Sequence, residues 1–366
     1  MPGPLDGIRV IDATTARSGP TCARQLADLG ADVIQVTNGV GTLAGSDGWN
    51  LNRNKRSVRL DLKDPGDHET VLRLLEHADV FLENWRPAVK HRLGLGPEEL
   101  LVRNPRLVYG SISGFGQDGP AAGRPGVDQI AQGMGGVMSV TGPPGTGPWR
   151  FGLAIADLAA GTFLAQGVIA ALFSRERSGR GQWVHTSLLE TMVHLLDFQA
   201  ARWLIDDEEP VQEGNNHPTM PLTGMFETSD SVINIGLVGG FERFVALIGA
   251  PGLADDERFA TRERRVANRY ALDDEVGAIL RTRTTAEWLD CIAGEFPAGP
   301  VYRVPQVFDD PQVRHLQMTT TVHLADGRAV QVLRHPVGFS DTPPSVRRGP
   351  PDPGQHTAAV LAELDG

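Results

Sequence analysis

Apolar and polar positions along the first third of the chain fall into blocks that read as strand and helix in turn. Ile8 to Asp12 is a short apolar run, and Gly19-Pro20 follows it, with proline suited to the first turn of a helix. Cys22, Leu26 and Leu29 then recur at helical spacing, Gly30 stops the helix, and Ala31 to Val36 is a second apolar run. This β-α-β unit predicts parallel strands joined by a right-handed crossover. The pattern repeats: Pro65 opens a helix carrying Val71, Leu72, Leu74 and Leu75, and Val80 to Leu82 reads as a strand. Glu98 to Val102 reads as a short helix and Leu107 to Ser111 as another strand. The first half is therefore predicted to be α/β, a doubly wound sheet. Pro and Gly dominate Gly114 to Pro148, too long for a simple connection and so a functional loop region.

Beyond that loop, the spacing predicts a long Ala- and Leu-rich helix from Asp157 to Arg177, a strand from Trp183 to Leu188 and a second helix to about Trp203. The acidic stretch Asp206 to Glu213 reads as a linker. Residues from about 215 to 305 form a second unit of mixed strands and helices. Thr319 to Leu324, the turn Asp326-Gly327 and Ala329 to Leu333 read as a hairpin. The Pro-rich tail is expected to wrap over a surface. No internal repeat or low-complexity tract is present.

Charge and composition narrow the partners. With 34 basic against 45 acidic residues the net charge is −11, which argues against nucleic acid or an anionic membrane as a general partner. A local arginine cluster still suffices to hold an anionic ligand. The basic residues are almost all arginine, the lysines being Lys55, Lys63 and Lys90. Two cysteines, Cys22 and Cys291, make no disulfide framework, so a reducing cytoplasm is the expected location. The N-terminal segment lacks the features of a signal peptide, and no run of about 18 apolar residues predicts a membrane span.

Gly114 to Gly119 fits G-x-G-x-x-G and follows a predicted strand, but Pro120, Gly123, Pro125 and Gly126 come next where a dinucleotide site needs a helix. The loop is read as glycine-rich with another role. No Gly-Lys pair exists for a P-loop, neither Ser111 nor Ser113 has the glycine spacing of a nucleophile elbow, and no histidine pair has metal-ligand spacing. No metal site is expected. Asp157, within GLAIADLAAG (Gly152 to Gly161), has a plain reading as a helix cap. It also has a functional one: a carboxylate among small apolar residues is partly desolvated and nucleophilic, while helix N-terminal amides keep it ionised. Arg17 lies in the loop after the first strand, where open α/β sheets bind ligands. Arg53, Arg56, Arg86 and Arg92 follow other elements and are candidates to meet phosphates.

As a whole the sequence resembles the family III CoA-transferases, the group that includes formyl-CoA transferase, carnitine CoA-transferase and the alpha-methylacyl-CoA racemases. The matching stretches are LDGIRVID (Leu5 to Asp12), Gly19-Pro20, LADLGADVI (Leu26 to Ile34), NKRSVRLDL (Asn54 to Leu62) and ADVFLENWRP (Ala78 to Pro87). They continue with Asn104-Pro105, SGFGQDGP (Ser113 to Pro120), AIAD (Ala154 to Asp157), Arg175, GRGQ (Gly179 to Gln182), GPV (Gly299 to Val301), DPQ (Asp310 to Gln312) and GQH (Gly354 to His356). The resemblance implies two interlocked, ring-like subunits, each with a Rossmann-like large domain and a small α+β domain inserted. The boundaries expected here are 1–205 for the first part of the large domain, 206–309 for the small domain and 310–366 for the segment returning to the large one.

The resemblance also implies site residues. Asp157 matches the catalytic aspartate, Arg17 a position lining the active site that is often glutamine, and Asp128 an acid beside the catalytic aspartate. Ala16, Asn84, Val89, Arg92 and Leu93 match positions that contact CoA. Coenzyme A or acyl-CoA is implied as substrate, with a small carboxylic acid as co-substrate and no permanently bound cofactor. Two departures stand out. Thr37-Asn38 lacks a basic contact to the CoA nucleotide, and Gly239-Gly240 is too short to stand for a glycine-rich covering loop. The expected activity is CoA transfer through an aspartyl covalent intermediate. A racemase needs a base on each side of the α-carbon, and Val127 stands where those members carry histidine, so that alternative is weakened. The other alternative is a CoA-binding protein without turnover.

Overall fold

A computed structural model describes residues 2–39 and 43–365. The chain forms two compact units. One comprises residues 1–138, 150–209 and 315–366, and the other residues 139–149 and 210–314. Within the stretch expected as the first segment of the large domain, residues 139–149 thus cluster with the second unit.

The larger unit is built on six strands: β1 (Arg9–Asp12), β2 (Asp32–Thr37), β3 (Arg56–Arg59), β4 (Val80–Glu83), β5 (Val108–Ser113) and β6 (Trp183–Ser187). Every neighbouring pair is parallel, in the order β3-β2-β1-β4-β5-β6. Successive side chains on a strand face opposite ways. Val10, Val33, Val80, Leu82 and Val108 enter one core, and Ile11, Ile34, Phe81 and Tyr109 the other. That burial on both faces is why these strands read as continuous apolar runs. The helices between them are α1 (Ser18–Asp28), α2 (Gly45–Asn52), α3 (Pro65–Glu76), α4 (Pro87–Arg92), α5 (Pro97–Arg103), α6 (Asp128–Met134) and α7 (Ile155–Ser178). After β6 follow α8 (Leu188–Leu195) and α9 (Phe198–Asp206). The single helix expected after β6 is two, because Asp197 adopts φ 45° and breaks the hydrogen-bonded run.

Small residues let α7 lie against α1. A Cβ on Gly161 would sit 2.5 Å from the Ser18 carbonyl oxygen. Ala156, Ala160 and Ala165 are buried on the same helix. Although α7 has the length and apolarity of a membrane-crossing helix, its buried residues belong to the core beneath the sheet. Buried ion pairs fasten the strand ends, Lys55 to Asp12 at 2.9 Å and Lys90 to Glu83 at 3.0 Å, and a third joins Arg53 to Asp28 at the end of α1 at 2.6 Å. The hairpin Thr319–His323 with Ala329–Leu333 forms as read. The Pro-rich tail returns to the sheet unit: the Arg347 guanidinium donates to the Ala27 and Gly30 carbonyls, and Val360 of a terminal helix enters the core.

The second unit has three antiparallel strands, Thr223–Glu227, Val232–Gly236 and Ala298–Pro300, beside helices that bury Phe244, Leu272, Val276 and Trp288. Trp288 Nε1 donates to the Leu280 carbonyl at 2.7 Å, satisfying the one polar atom in that core aromatic.

Candidate active site

The strand order reverses between β1 and β4, and the crevice there holds a cavity of about 770 Å³ at the carboxyl ends of the strands. Ala16, Val89, Arg92 and Leu93, four of the five positions matched to CoA contacts, line it. Asn84 is beneath it: its side-chain oxygen accepts from Thr15 N at 2.9 Å and its amide donates to Thr15 O at 2.8 Å, pinning the loop that forms the cavity's floor. Asn38 is also on the wall, and so are Lys63 and His68, which sequence reasoning did not single out. Lys63 lies in the loop between the end of β3 and Pro65 at the start of α3. Its place at the carboxyl end of a strand was the available signal. With Arg92 it supplies the positive charge that Asn38 does not.

A buried cation ties this cavity to the glycine-rich loop. Lys90, on the same helix as Val89 and Arg92, donates to Glu83 Oε1 at 3.0 Å, Ser111 Oγ at 3.3 Å and Gln117 Oε1 at 2.6 Å. Its ammonium also lies 5.0 Å from the centre of the Trp183 ring. Gly116 and Gly119 in that loop take positive φ, and Gly114 packs so closely on Gly126 that a Cβ would approach to 2.8 Å. No helix opens until Asp128, as expected for a loop without a dinucleotide role.

Asp157 is not the cap of α7. The N-cap residue is Ala154, and Asp157 stands in the first turn. The acceptor at the helix start comes instead from Asp128, whose Oδ1 takes the Ala156 N–H at 2.9 Å. Its Oδ2 accepts from Gln132 Nε2 at 2.8 Å and from the Arg150 guanidinium at 3.3 Å. Gln132 completes the bracket, bonding Phe151 N and Leu153 O. The segment entering the helix is therefore held from three sides, and Asp157 is held with it. Burial, followed by the negative charge of Asp128, pushes the Asp157 carboxyl up to about 6. The nearby Arg17 charge and a hydrogen bond from Ser18 pull the other way. Arg17 itself is paired with Asp47 of α2. It follows Ala16, whose φ of 58° is left-handed although it carries a Cβ. The structure thus gathers Asp157, Asp128 and Arg17 around the start of α7. Arg53 and Arg56, candidates from the sequence to meet phosphates, are instead engaged by Asp28 and by Asp32 with Glu363.

The model for CoA-transferase family III matches residues 5–357 of this chain. The chain belongs to CoA-transferase family III. A succinate–glutarate CoA-transferase of Agrobacterium fabrum is 38% identical, the alignment covering 99% of this chain and 96% of that protein. An acetyl-CoA:oxalate CoA-transferase of Acetobacter aceti is 36% identical, over 99% and 96%. A succinyl-CoA:mesaconate CoA-transferase of Haloarcula hispanica is 34% identical with the same coverage. Among solved structures, a CaiB/BaiF family protein of Brucella suis superposes with a TM-score of 0.88 at 36% identity, covering all of both chains. This family III CoA-transferase is accordingly an enzyme acting on CoA thioesters. Val127, exposed at the start of α6, has no group to exchange a proton, and the racemase alternative is not favoured.

Proposed function

We propose that this enzyme carries CoA from an acyl-CoA donor to a short dicarboxylic acid, with Asp157 as the group that is acylated. The observation that carries the proposal is the state of Asp157: half-buried, in the helix turn that the Asp128 bracket holds, and with its carboxyl raised to about 6. Such a carboxylate is ionised at neutral pH yet poorly solvated, the condition for an effective oxygen nucleophile. An Asp157 oxygen attacks the thioester carbonyl, the C–S bond breaks, and CoA leaves as thiolate while an acyl-aspartyl anhydride forms. The thiolate then attacks the aspartyl carbon, expelling the donor acid as its carboxylate and leaving an aspartyl-CoA thioester. The acceptor carboxylate attacks that thioester and releases the thiolate again. Attack of the thiolate on the acceptor acyl carbon gives the new acyl-CoA and restores Asp157. No net proton is taken up or lost. The Ala16, Val89, Arg92, Leu93 and Lys63 cavity would hold the CoA moiety, whose remote binding energy positions the reacting carbonyl. The choice of dicarboxylic acids rests on the names of the relatives, which refer to succinate, glutarate, mesaconate and oxalate.

The reading is tested with succinyl-CoA and a panel of acids, following new acyl-CoA by mass spectrometry. Glutarate or another short diacid is expected to gain CoA, and Asp157→Asn is expected to abolish transfer while CoA still binds by calorimetry. Transfer that survives in Asp157→Asn would rule out the nucleophile, and a panel without any product would rule out the activity.

A further inference from the structure

The loop between β1 and α1 is over-determined. Ala16 is held in the left-handed region, which disfavours a residue with a Cβ. Asn84 clamps both backbone polar groups of Thr15 beside it. The first turn of α1 is pressed on α7 at Gly161, one turn beyond Asp157. Strain of this kind persists where the surroundings fix a side chain for use. The side chain so fixed is Arg17. Its guanidinium has five N–H donors, and among the described residues its hydrogen bonding is to Asp47 alone.

That pair is built to be exchanged. Asp47 keeps 51% of its side-chain surface exposed and Arg17 26%, so the pair adds little stability and water already competes for it. Two turns further along α1, Arg24 has neither a hydrogen bond nor an ion pair among the described residues, and its Nε is buried. Burial and the neighbouring Arg53 hold its pKa down to about 10, Asp28 pulls it back up, and Arg17 adds a smaller push down. A planar fork that is open to solvent and beside the nucleophile matches a carboxylate bidentately.

We infer that Arg17 is the specificity residue for a second carboxylate: it leaves Asp47 to grip the remote carboxylate of a dicarboxylic substrate, and Asp47 occupies the fork when none is bound. The inference rests on the CoA-transfer reading above. A monocarboxylic acid of equal length leaves Arg17 on Asp47 and gains nothing from it. Arg17 is then a positioning group for the substrate's far end, and stabilising the reacting carbonyl's oxyanion is left to other donors.

The test compares succinate with butyrate as acceptors from one acetyl-CoA donor, reading the ratio of the two kcat/KM values. Any general effect of a substitution on Asp157 reaches both acids and cancels in the ratio. The native enzyme is expected to favour succinate. Arg17→Gln should lower the succinate-to-butyrate ratio by roughly tenfold to a hundredfold, the worth of a charged hydrogen bond. Arg17→Lys should recover part of it, and Asp47→Asn should lower the KM for succinate by removing the competing carboxylate. CoA affinity and melting temperature confirm that each variant is folded. A ratio unchanged in Arg17→Gln, with both acids slowed alike, would overturn the inference and return Arg17 to the reacting carbonyl. A native enzyme that transfers CoA without preferring the diacid would overturn it also. A native enzyme that transfers CoA to neither acid would instead sink the transfer reading on which it stands.

Discussion

At the scale of single residues, the sequence placed a carboxylate at a helix start and left two roles open. The structure removes the capping role by position, since Ala154 is the N-cap and Asp128 supplies the acceptor from another helix. Nothing in the spacing of Asp128 and Ala156 could have shown this, because it is a contact across 28 residues that only the fold creates. The pH dependence follows from the raised Asp157 carboxyl. On the proposed mechanism Asp157 must be ionised to attack, so kcat/KM is expected to rise with pH through about 6 and level off above it. Asp128→Asn removes the second cause of the shift, and the acidic limb should move to lower pH. An acidic limb unmoved in that variant would show that Asp128 acts on Asp157 only through the backbone bracket. The same shift acts on stability with the opposite sense. The folded state holds this proton more tightly than the unfolded chain, whose Asp titrates at about 4. Its stabilising effect is therefore full below that pH and is lost as pH rises through about 6.

Among elements, those with long periodic patterns were legible: the strands flanking α1, α3, α5, α7 and the terminal hairpin lie within a residue or two of their expected positions. The short helices α2, α4 and α6 were not: six to eight residues carry little periodicity, although α5, of similar length, was read from Glu98 to Val102. They matter out of proportion to their length, since α2 carries Asp47, α4 carries Val89 and Arg92, and α6 carries Asp128. The element that the larger unit leaves least explained is α9, which has no buried residue. Leu204 and Ile205 are 77% and 79% exposed, and Trp203 is 54% exposed. An apolar helix face left in water is a site for association. Together with the interlocked architecture implied by the resemblance, it leads us to propose that a second copy covers α9. Light scattering should give a dimer that persists on dilution to micromolar concentration. Leu204→Asp with Ile205→Asp should weaken it, and a native monomer at that concentration would count against the proposal.

On the scale of the whole molecule, a doubly wound sheet places its ligand crevice where the strand order reverses, and the cavity lined by Ala16, Lys63, Val89 and Arg92 lies at that end of the sheet. The sheet was legible because both of its faces are buried and its strands read as apolar runs. The return of the chain's last residues to it was legible only through the resemblance, since the bonds from Arg347 to Ala27 and Gly30 join segments more than 300 residues apart. In the proposed reaction the atom that is acylated is an oxygen of Asp157. Its acylation is tested most directly by adding acyl-CoA without acceptor, quenching with hydroxylamine, and reading the peptide that contains Asp157 by mass spectrometry. The account predicts a hydroxamate at Asp157 that depends on acyl-CoA and is absent from Asp157→Asn. An unmodified Asp157 in enzyme that is turning over under the same conditions would contradict it.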